Sequence, residues 1–271
     1  MGYPARIEIM GAPIDPYTME QTVSRTKDFV ETGVFAHLAG VNADKLLQMR
    51  SDQTMDRMIR QCEIVNADGA SMVMAARRLG IDIPERVAGI DLMHELCRLS
   101  QSEGYRIFLL GATRDTVETA RRKLEESYPG LDICGIMDGY FDDEDFSAVG
   151  EEVASSRPNI VFVGITSPKK EHVIEHFRLM GLKGVYVGVG GSFDVISGSI
   201  PRAPLWMQRM GLEWLFRMMK EPKRLMRRYV MGNARFMRLV SREIRSKERS
   251  GKRRRFCSSS GRAQKPSRCA P

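Results

Sequence analysis

Asp68 stands in the stretch VNADGAS, where a short apolar run ends and a segment of helical period begins. A carboxylate at such a junction can be tuned by a pocket to act as a general base, taking a proton from a hydroxyl nucleophile. The same position also suits a helix N-cap, so spacing alone leaves both roles open. Anion chemistry is suggested by FLLGATRDTVETARRKL, where Gly111 turns the chain out of a strand and Thr113 or Asp115 caps the next helix. The free N–H groups of that first turn suit a phosphate, and a capped helix without a ligand fits equally well. GVGGSFDV supplies a second glycine turn, from Gly190 and Gly191 to Asp194. It lacks the GxGxxG spacing and the distant acidic residue of a dinucleotide site, so NAD binding gains little support.

Metal chemistry finds less. The acidic run Asp142, Asp143, Glu144 and Asp145 follows GYF and reads as a solvent-facing helix cap. His172 and His176 lie one helical turn apart, but no third ligand accompanies them and no metal site is expected. The five cysteines (Cys62, Cys97, Cys134, Cys257 and Cys269) are odd in number, widely spaced and free of any CxxC pair. Neither a disulfide framework nor a zinc site follows from them.

To hold these residues the body needs alternating strands and helices. Short β-rich runs occur at 6–10, 34–40, 64–67, 106–110, 133–137, 160–164 and 185–189. Segments of helical period occur at 18–31, 43–49, 54–62, 70–79, 92–102, 114–127, 144–155 and 169–180. This alternation predicts an α/β fold, Rossmann-like, with a largely parallel sheet and helices on both faces. In such sheets ligands bind beyond the C-terminal strand ends. Those positions hold Asn42 and Asp44, Asp68 and Gly69, Gly111 to Thr113, Pro168 to Glu171 with Lys170, and Gly190 to Asp194.

Charge divides the chain. Residues 1–200 hold 21 Lys/Arg against 30 Asp/Glu, whereas residues 201–271 hold 21 against 4. The formal +8 thus hides an acidic body and a strongly basic end. Between Arg202, Arg209, Arg217 and Lys220 run Leu205, Trp206, Met207, Met210, Leu212, Trp214, Leu215, Phe216, Met218 and Met219. A basic amphipathic helical appendage of this kind suits an anionic membrane surface. Packing on its own body and binding of nucleic acid are the alternatives; duplex DNA would reward the cations but not the apolar bulk. The expected division is a catalytic body over 1–200, a membrane-associating appendage over 201–245 and a disordered basic tail over 246–271. With 42% apolar and 28% charged residues the chain has ordinary globular composition. No run approaches the ~20 apolar residues of a membrane span and the N-terminus has no signal-peptide core, so a cytoplasmic protein is expected.

Eight motifs in order carry a resemblance: VNAD (41–44), NADG (66–69), ERVAGIDL (85–92), FLLGA (108–112), GITSPKKE (164–171), GVGGSFDVISG (188–198), PRAP (201–204) and GLEWLFRMMKEPKRLMRRY (211–229). Over residues 5–235 the chain resembles the WecG/TagA/CpsF family of bacterial glycosyltransferases. The resemblance implies an inverting, metal-independent transferase. It would move N-acetylmannosamine or its uronic acid from a UDP-sugar to an undecaprenyl-diphosphate-linked sugar at the inner face of the plasma membrane, in cell-envelope polysaccharide synthesis. No cofactor is implied, because the UDP-sugar is a substrate.

Carried over by residue, the resemblance makes Asp68 the base, with Asn42 orienting the acceptor and Arg86 offering a fixed charge; Arg86 could instead pair with Glu85 or Asp91. Asp194 would meet sugar hydroxyls or else brace its own glycine turn. Arg217, Arg224 and Arg227 would stabilise the departing diphosphate, and an appendage that folds over the pocket at the bilayer would couple docking to catalysis. Two positions depart from the family pattern: Gly40 replaces the usual Thr, and Lys170 the Gln of PKQE. Both bear on which acceptor or donor sugar is used, and Lys170 would suit an acidic sugar or the diphosphate. The competing class is a non-enzymatic α/β binder of nucleotides or nucleic acid with a basic tail. Oligomeric state, a homo-oligomer included, is open.

Overall fold

The computed structural model describes residues 2–220 and 232–246. The chain begins with β1 (Ile7–Ile9) and β2 (Ala12–Ile14), followed by α1 (Met19–Thr32), β3 (Phe35–Val41), α2 (Ala43–Ser51), α3 (Gln53–Arg60), β4 (Ile64–Ala67), α4 (Ala70–Arg78) and α5 (Gly89–Glu103). Then come β5 (Arg106–Gly111), α6 (Arg114–Ser127), β6 (Asp132–Met137), α7 (Phe146–Ser155), β7 (Ile160–Gly164), α8 (Lys169–Leu179), β8 (Gly184–Gly188) and α9 (Ser192–Ser197). The basic end contributes α10 (Leu205–Arg209), α11 (Glu213–Lys220) and a further helix over residues 232–246.

Six strands form one parallel sheet in the order β4-β3-β8-β7-β5-β6. Alternate residues point to opposite faces of each strand, and both faces are covered. Leu109, Phe162 and Val187 share one core with α1, α5 and α6 through Phe29, Leu96 and Val117. Phe108, Val161 and Tyr186 face the other way, against Val149 of α7 and Phe177 of α8. A third core joins the hairpin residues Ile9 and Ile14 to Leu46, Met55 and Met72 from α2, α3 and α4. The expected α/β architecture with helices on both faces is therefore present.

Two elements differ from expectation. The first strand is not in the parallel sheet but pairs antiparallel with β2, a strand the sequence pattern did not mark. Met10 (φ 51°) and Gly11 (φ 90°) make the two-residue turn between them, and left-handed geometry at both positions is what a tight hairpin asks for. Pro13 in β2 had masked it, because proline weakens any strand signal. Beyond the glycine turn that follows β8, a short helix, α9, forms over a stretch not marked among the helical segments.

The appendage packs on the body. Phe236 and Val240, both 2% exposed, insert from the helix over 232–246 into the third core. Gly211 (φ 71°) packs against Ala70, so closely that a Cβ there would lie 2.3 Å from the Ala70 Cβ. Only glycine fits that turn and that approach. Arg217 lies in α11, while Arg224, Arg227 and the tail after 246 lie outside the described residues.

Candidate active site

At the C-terminal edge of the sheet, four adjacent strands carry glycine at or next to their last residue: Gly40 in β3, which ends at Val41, and the terminal Gly188 of β8, Gly164 of β7 and Gly111 of β5. The space their missing side chains leave is filled from elsewhere. A Cβ on Gly40 would stand 2.8 Å from the Asp68 Cβ, and one on Gly188 would stand 2.9 Å from the Lys170 Cε. One on Gly164 would strike the Phe193 ring at 2.5 Å, and one on Gly111 would strike the Gly164 carbonyl carbon at 2.5 Å. Gly40, Gly164 and Gly111 continue the sheet face that carries Leu38, Phe162 and Leu109, and Asp68 and the Phe193 ring lie against that face, whereas Gly188 follows Tyr186 onto the other face, where the Lys170 stem lies.

Asp68 follows β4 directly, and its N–H donates to Val41 O at 2.9 Å, which extends the β3–β4 pairing by one residue. It does not cap α4: that position is Gly69, with φ 103° and no side-chain cap. Gly69, not Asp68, is thus the N-cap residue of α4, and Asp68 sits at the rim. Asn42 caps α2, its side-chain oxygen accepting from Lys45 N–H at 3.0 Å, and its Cβ is 3.4 Å from where a Gly69 Cβ would be. Asn42, Asp68 and Gly69 therefore form one corner.

Arg86 is brought to that corner by its neighbour, since Val87 N–H donates to Ala67 O at 3.2 Å. Its guanidinium reaches outward. Nη1 donates to Glu213 Oε2 of α11 at 2.6 Å, and Nη2 lies 3.8 Å from Asp91 Oδ2. Arg202 pairs with Asp91 and approaches Glu213 at 4.0 Å. Two arginines and two acids thus tie the appendage to the body beside Asp68. Of the partners expected for Arg86, Asp91 is present; Glu85 instead accepts from Met19 N–H at 2.8 Å.

Lys170 is 7% exposed, and the charges around it are buried too. Burial first, then Lys45, push its ammonium down to about 8 against the pull of Glu171 and Asp68. Burial also works against the Glu171 charge, but Lys170 and Lys45 outweigh it and hold the carboxyl well below the usual carboxylate range. Behind them His37, whose Nδ1 is 3.3 Å from Cys62 Sγ, is pushed down to about 3, chiefly by burial.

The other half of the rim holds the second glycine turn. Gly191 precedes α9, and a Cβ on it would lie 3.4 Å from Asp194 Oδ2, so Asp194 lies against its own turn. Thr113 caps α6, its Oγ1 accepting from Thr116 N–H at 3.3 Å. The structure therefore brings Gly40, Asn42, Asp68, Arg86 and Lys170 together, and sets Gly111, Gly191 and Asp194 along the neighbouring strand ends. Sequence reasoning missed Lys45, Gly188 and Glu213, and marked Glu171 only as a position after a strand. The only available signal was their position directly after strands or within the motifs themselves. The acidic run behaves as expected, Asp145 Oδ2 accepting from Asp142 N–H at 3.0 Å on the surface. Among the described residues no three His, Cys, Asp or Glu side chains cluster as a metal set.

An acid directly after a parallel strand stands at the sheet edge where α/β folds bind ligands, a position from which a general base can act. The profile of the Glycosyl transferase WecG/TagA/CpsF family matches residues 7–250, and the chain belongs to that family of glycosyltransferases. Among its relatives is the N-acetylglucosaminyldiphosphoundecaprenol N-acetyl-beta-D-mannosaminyltransferase of Bacillus subtilis (strain 168), 33% identical over 198 residues, which span 73% of this chain and 77% of the relative. The match to the family runs through the appendage as well as the body.

Proposed function

We propose that this chain transfers N-acetylmannosamine, or a related sugar such as its uronic acid, from a UDP-sugar to undecaprenyl-diphosphate-linked N-acetylglucosamine. The observation that carries the proposal is Asp68, a carboxylate directly after β4 that is not the N-cap residue of α4 and lies against Gly40, at the corner that holds Asn42 and Arg86. Asp68 takes the proton of the acceptor hydroxyl as its oxygen attacks the anomeric carbon. The bond from that carbon to the diphosphate breaks on the opposite face, the configuration inverts and UDP departs. Cations of the chain balance the growing charge on UDP, with Arg217, Arg224 and Arg227 as the proposed donors in place of a bound metal. Gly111, Gly191 and Asp194 edge the donor half of the rim, where backbone N–H groups suit phosphate and a carboxylate suits sugar hydroxyls.

The acceptor's lipid places the reaction at a bilayer, on the cytoplasmic face in this proposal. Leu205, Trp206, Met210 and Met219 support that reading, since all four are exposed on α10, the turn after it and α11. Exposed apolar bulk among cations suits the boundary of an anionic leaflet. Among the described residues no helix is long and apolar enough to cross a membrane, so peripheral docking is the proposed mode. The test is UDP release from UDP-N-acetylmannosamine with and without a short-chain polyprenyl-diphosphate N-acetylglucosamine. Release that depends on the acceptor supports the proposal, and release indifferent to it contradicts the acceptor assignment.

A further inference from the structure

A small cavity lies between the ends of β3 and β8 and the start of α5. Three half-buried glycines line its mouth: Gly40 of β3, Gly188 of β8 and Gly89, the first residue of α5. A Cβ on Gly89 would lie 3.6 Å from Gly188 O, so α5 begins directly over the end of β8. The walls are Leu38, Val87, Leu92 and Val187, all buried in the core shared with α1, α5 and α6. Pairing sets them there: Leu38 is in register with Val187, and the Val87 N–H on Ala67 O holds Val87 beside the end of β4. Asn66, the polar side chain in the lining, has its Nδ2 committed to Thr22 Oγ1 at 2.8 Å.

The cavity measures about 10 Å³, the room of one water-sized group. Apolar walls hold water poorly, because a buried water needs several polar partners, whereas a methyl group gains by leaving water for them. Gly40 ties the cavity to the chemistry. It points to the same face of β3 as Leu38, and Asp68 lies against it on that face. The substrates of the proposed reaction are polar at their reacting ends, with hydroxyls, ring oxygens and diphosphates. Their acetamido methyl is the apolar exception, and donor and acceptor sugars each carry one.

We infer that the cavity under the start of α5 seats the acetamido methyl of an N-acetylated sugar, and that Val87 and Val187 set the preference for that group. The inference rests on the reading of the chain as a transferase of N-acetylated sugars with its base at Asp68. Such a seat selects in two directions. A hydroxyl in place of the acetamido group forfeits the apolar contact, and an acyl group longer by one carbon does not fit.

The test is kcat/KM for acceptor-dependent UDP release, with thermal unfolding checked for each variant. The donors are UDP-N-acetylmannosamine, UDP-mannose and UDP-N-propionylmannosamine. The acceptors are short-chain polyprenyl diphosphates carrying N-acetylglucosamine, glucose or N-propionylglucosamine. The parent favours the acetylated sugar over the hydroxyl sugar by about tenfold or more, in the donor series if the donor's methyl takes the seat and in the acceptor series if the acceptor's does. Val87→Ile fills the seat and removes most of that preference, by slowing the acetylated substrate and not the hydroxyl one. Val87→Ala enlarges the seat and raises the rate on the N-propionyl substrate relative to the N-acetyl one. Val187→Ile carries the filling test if Val87→Ile does not fold. Absence of the preference from both series, or folded variants that leave it where the parent has it, overturns the inference while the transferase reading stands. A parent that releases UDP with none of these substrate pairs overturns that reading and the inference with it.

Discussion

Gly40 on β3 yields its side-chain space to Asp68: a Cβ at position 40 would lie 2.8 Å from the Asp68 Cβ and 3.2 Å from Oδ2. The carboxylate can rest against the strand end only because residue 40 has no side chain. This links residue 40 to the placement of Asp68, the proposed base. Gly40→Ala should push Asp68 off β3, and a displacement near 1 Å costs about 100-fold in rate. The expected result is a fall in kcat of that order with the far-ultraviolet spectrum unchanged. A kcat equal to the parent's would show that Asp68 has room to spare.

Arg86 and Glu213 join the rim to α11 at 2.6 Å, both about one-fifth exposed. A pair this open to solvent contributes about 1 kcal/mol. Glu213→Gln should therefore lower kcat/KM about fivefold, by loosening α11 beside Asp68, and should barely move the melting temperature. Unchanged kcat/KM would mean that the contact does not hold the appendage in its working place. Point variants are the right tool here. Deleting residues from 201 onward would also strip Phe236 and Val240 from the third core, and losing one buried Phe costs about 3–5 kcal/mol.

Trp206 and Met210 are 59% and 65% exposed. Replacing both with Ser should raise the concentration of phosphatidylglycerol vesicles needed for half-maximal binding by tenfold or more, because each large apolar side chain buried contributes about 1.5–3 kcal/mol. Turnover of a water-soluble, short-chain acceptor should be unaffected. Equal binding by parent and variant would locate any membrane contact elsewhere.

His37 should make stability depend on pH. Its folded pKa is about 3 because burial disfavours the cation, against an unfolded value of about 6.5. Between those values the unfolded chain binds more protons, so stability is present above the unfolded pKa and is lost as pH falls toward the folded one. From pH 7 to 5 the loss amounts to about 2 kcal/mol, measurable as a falling urea midpoint. His37→Leu should flatten that slope. An equal slope in the variant would assign the acid sensitivity to other groups.

The alternation of strands and helices was legible because the buried strands are continuous apolar runs and the helices carry ordinary caps, such as Thr18 with Gln21 in α1 and Thr113 in α6. The strand-end rule then led to Asp68 directly. What the pattern could not convey was partnership. Lys45 and Glu171 lie 126 residues apart in separate helices, and only the sheet order, which sets β3 next to β8 and β8 next to β7, buries them against each other. Glu213 lies 127 residues from Arg86, a pairing that no local window could reveal. Likewise, whether Asp68 capped α4 turned on the backbone of Gly69, whose φ of 103° no composition argument supplies.

The most direct test compares the intact enzyme with Asp68→Asn in UDP release from UDP-N-acetylmannosamine, with and without the lipid-linked N-acetylglucosamine acceptor. A general base contributes about 10²- to 10⁴-fold. The account predicts acceptor-dependent release in the parent and a loss of that size in a variant that remains folded and still binds UDP. Full acceptor-dependent activity in Asp68→Asn would contradict it.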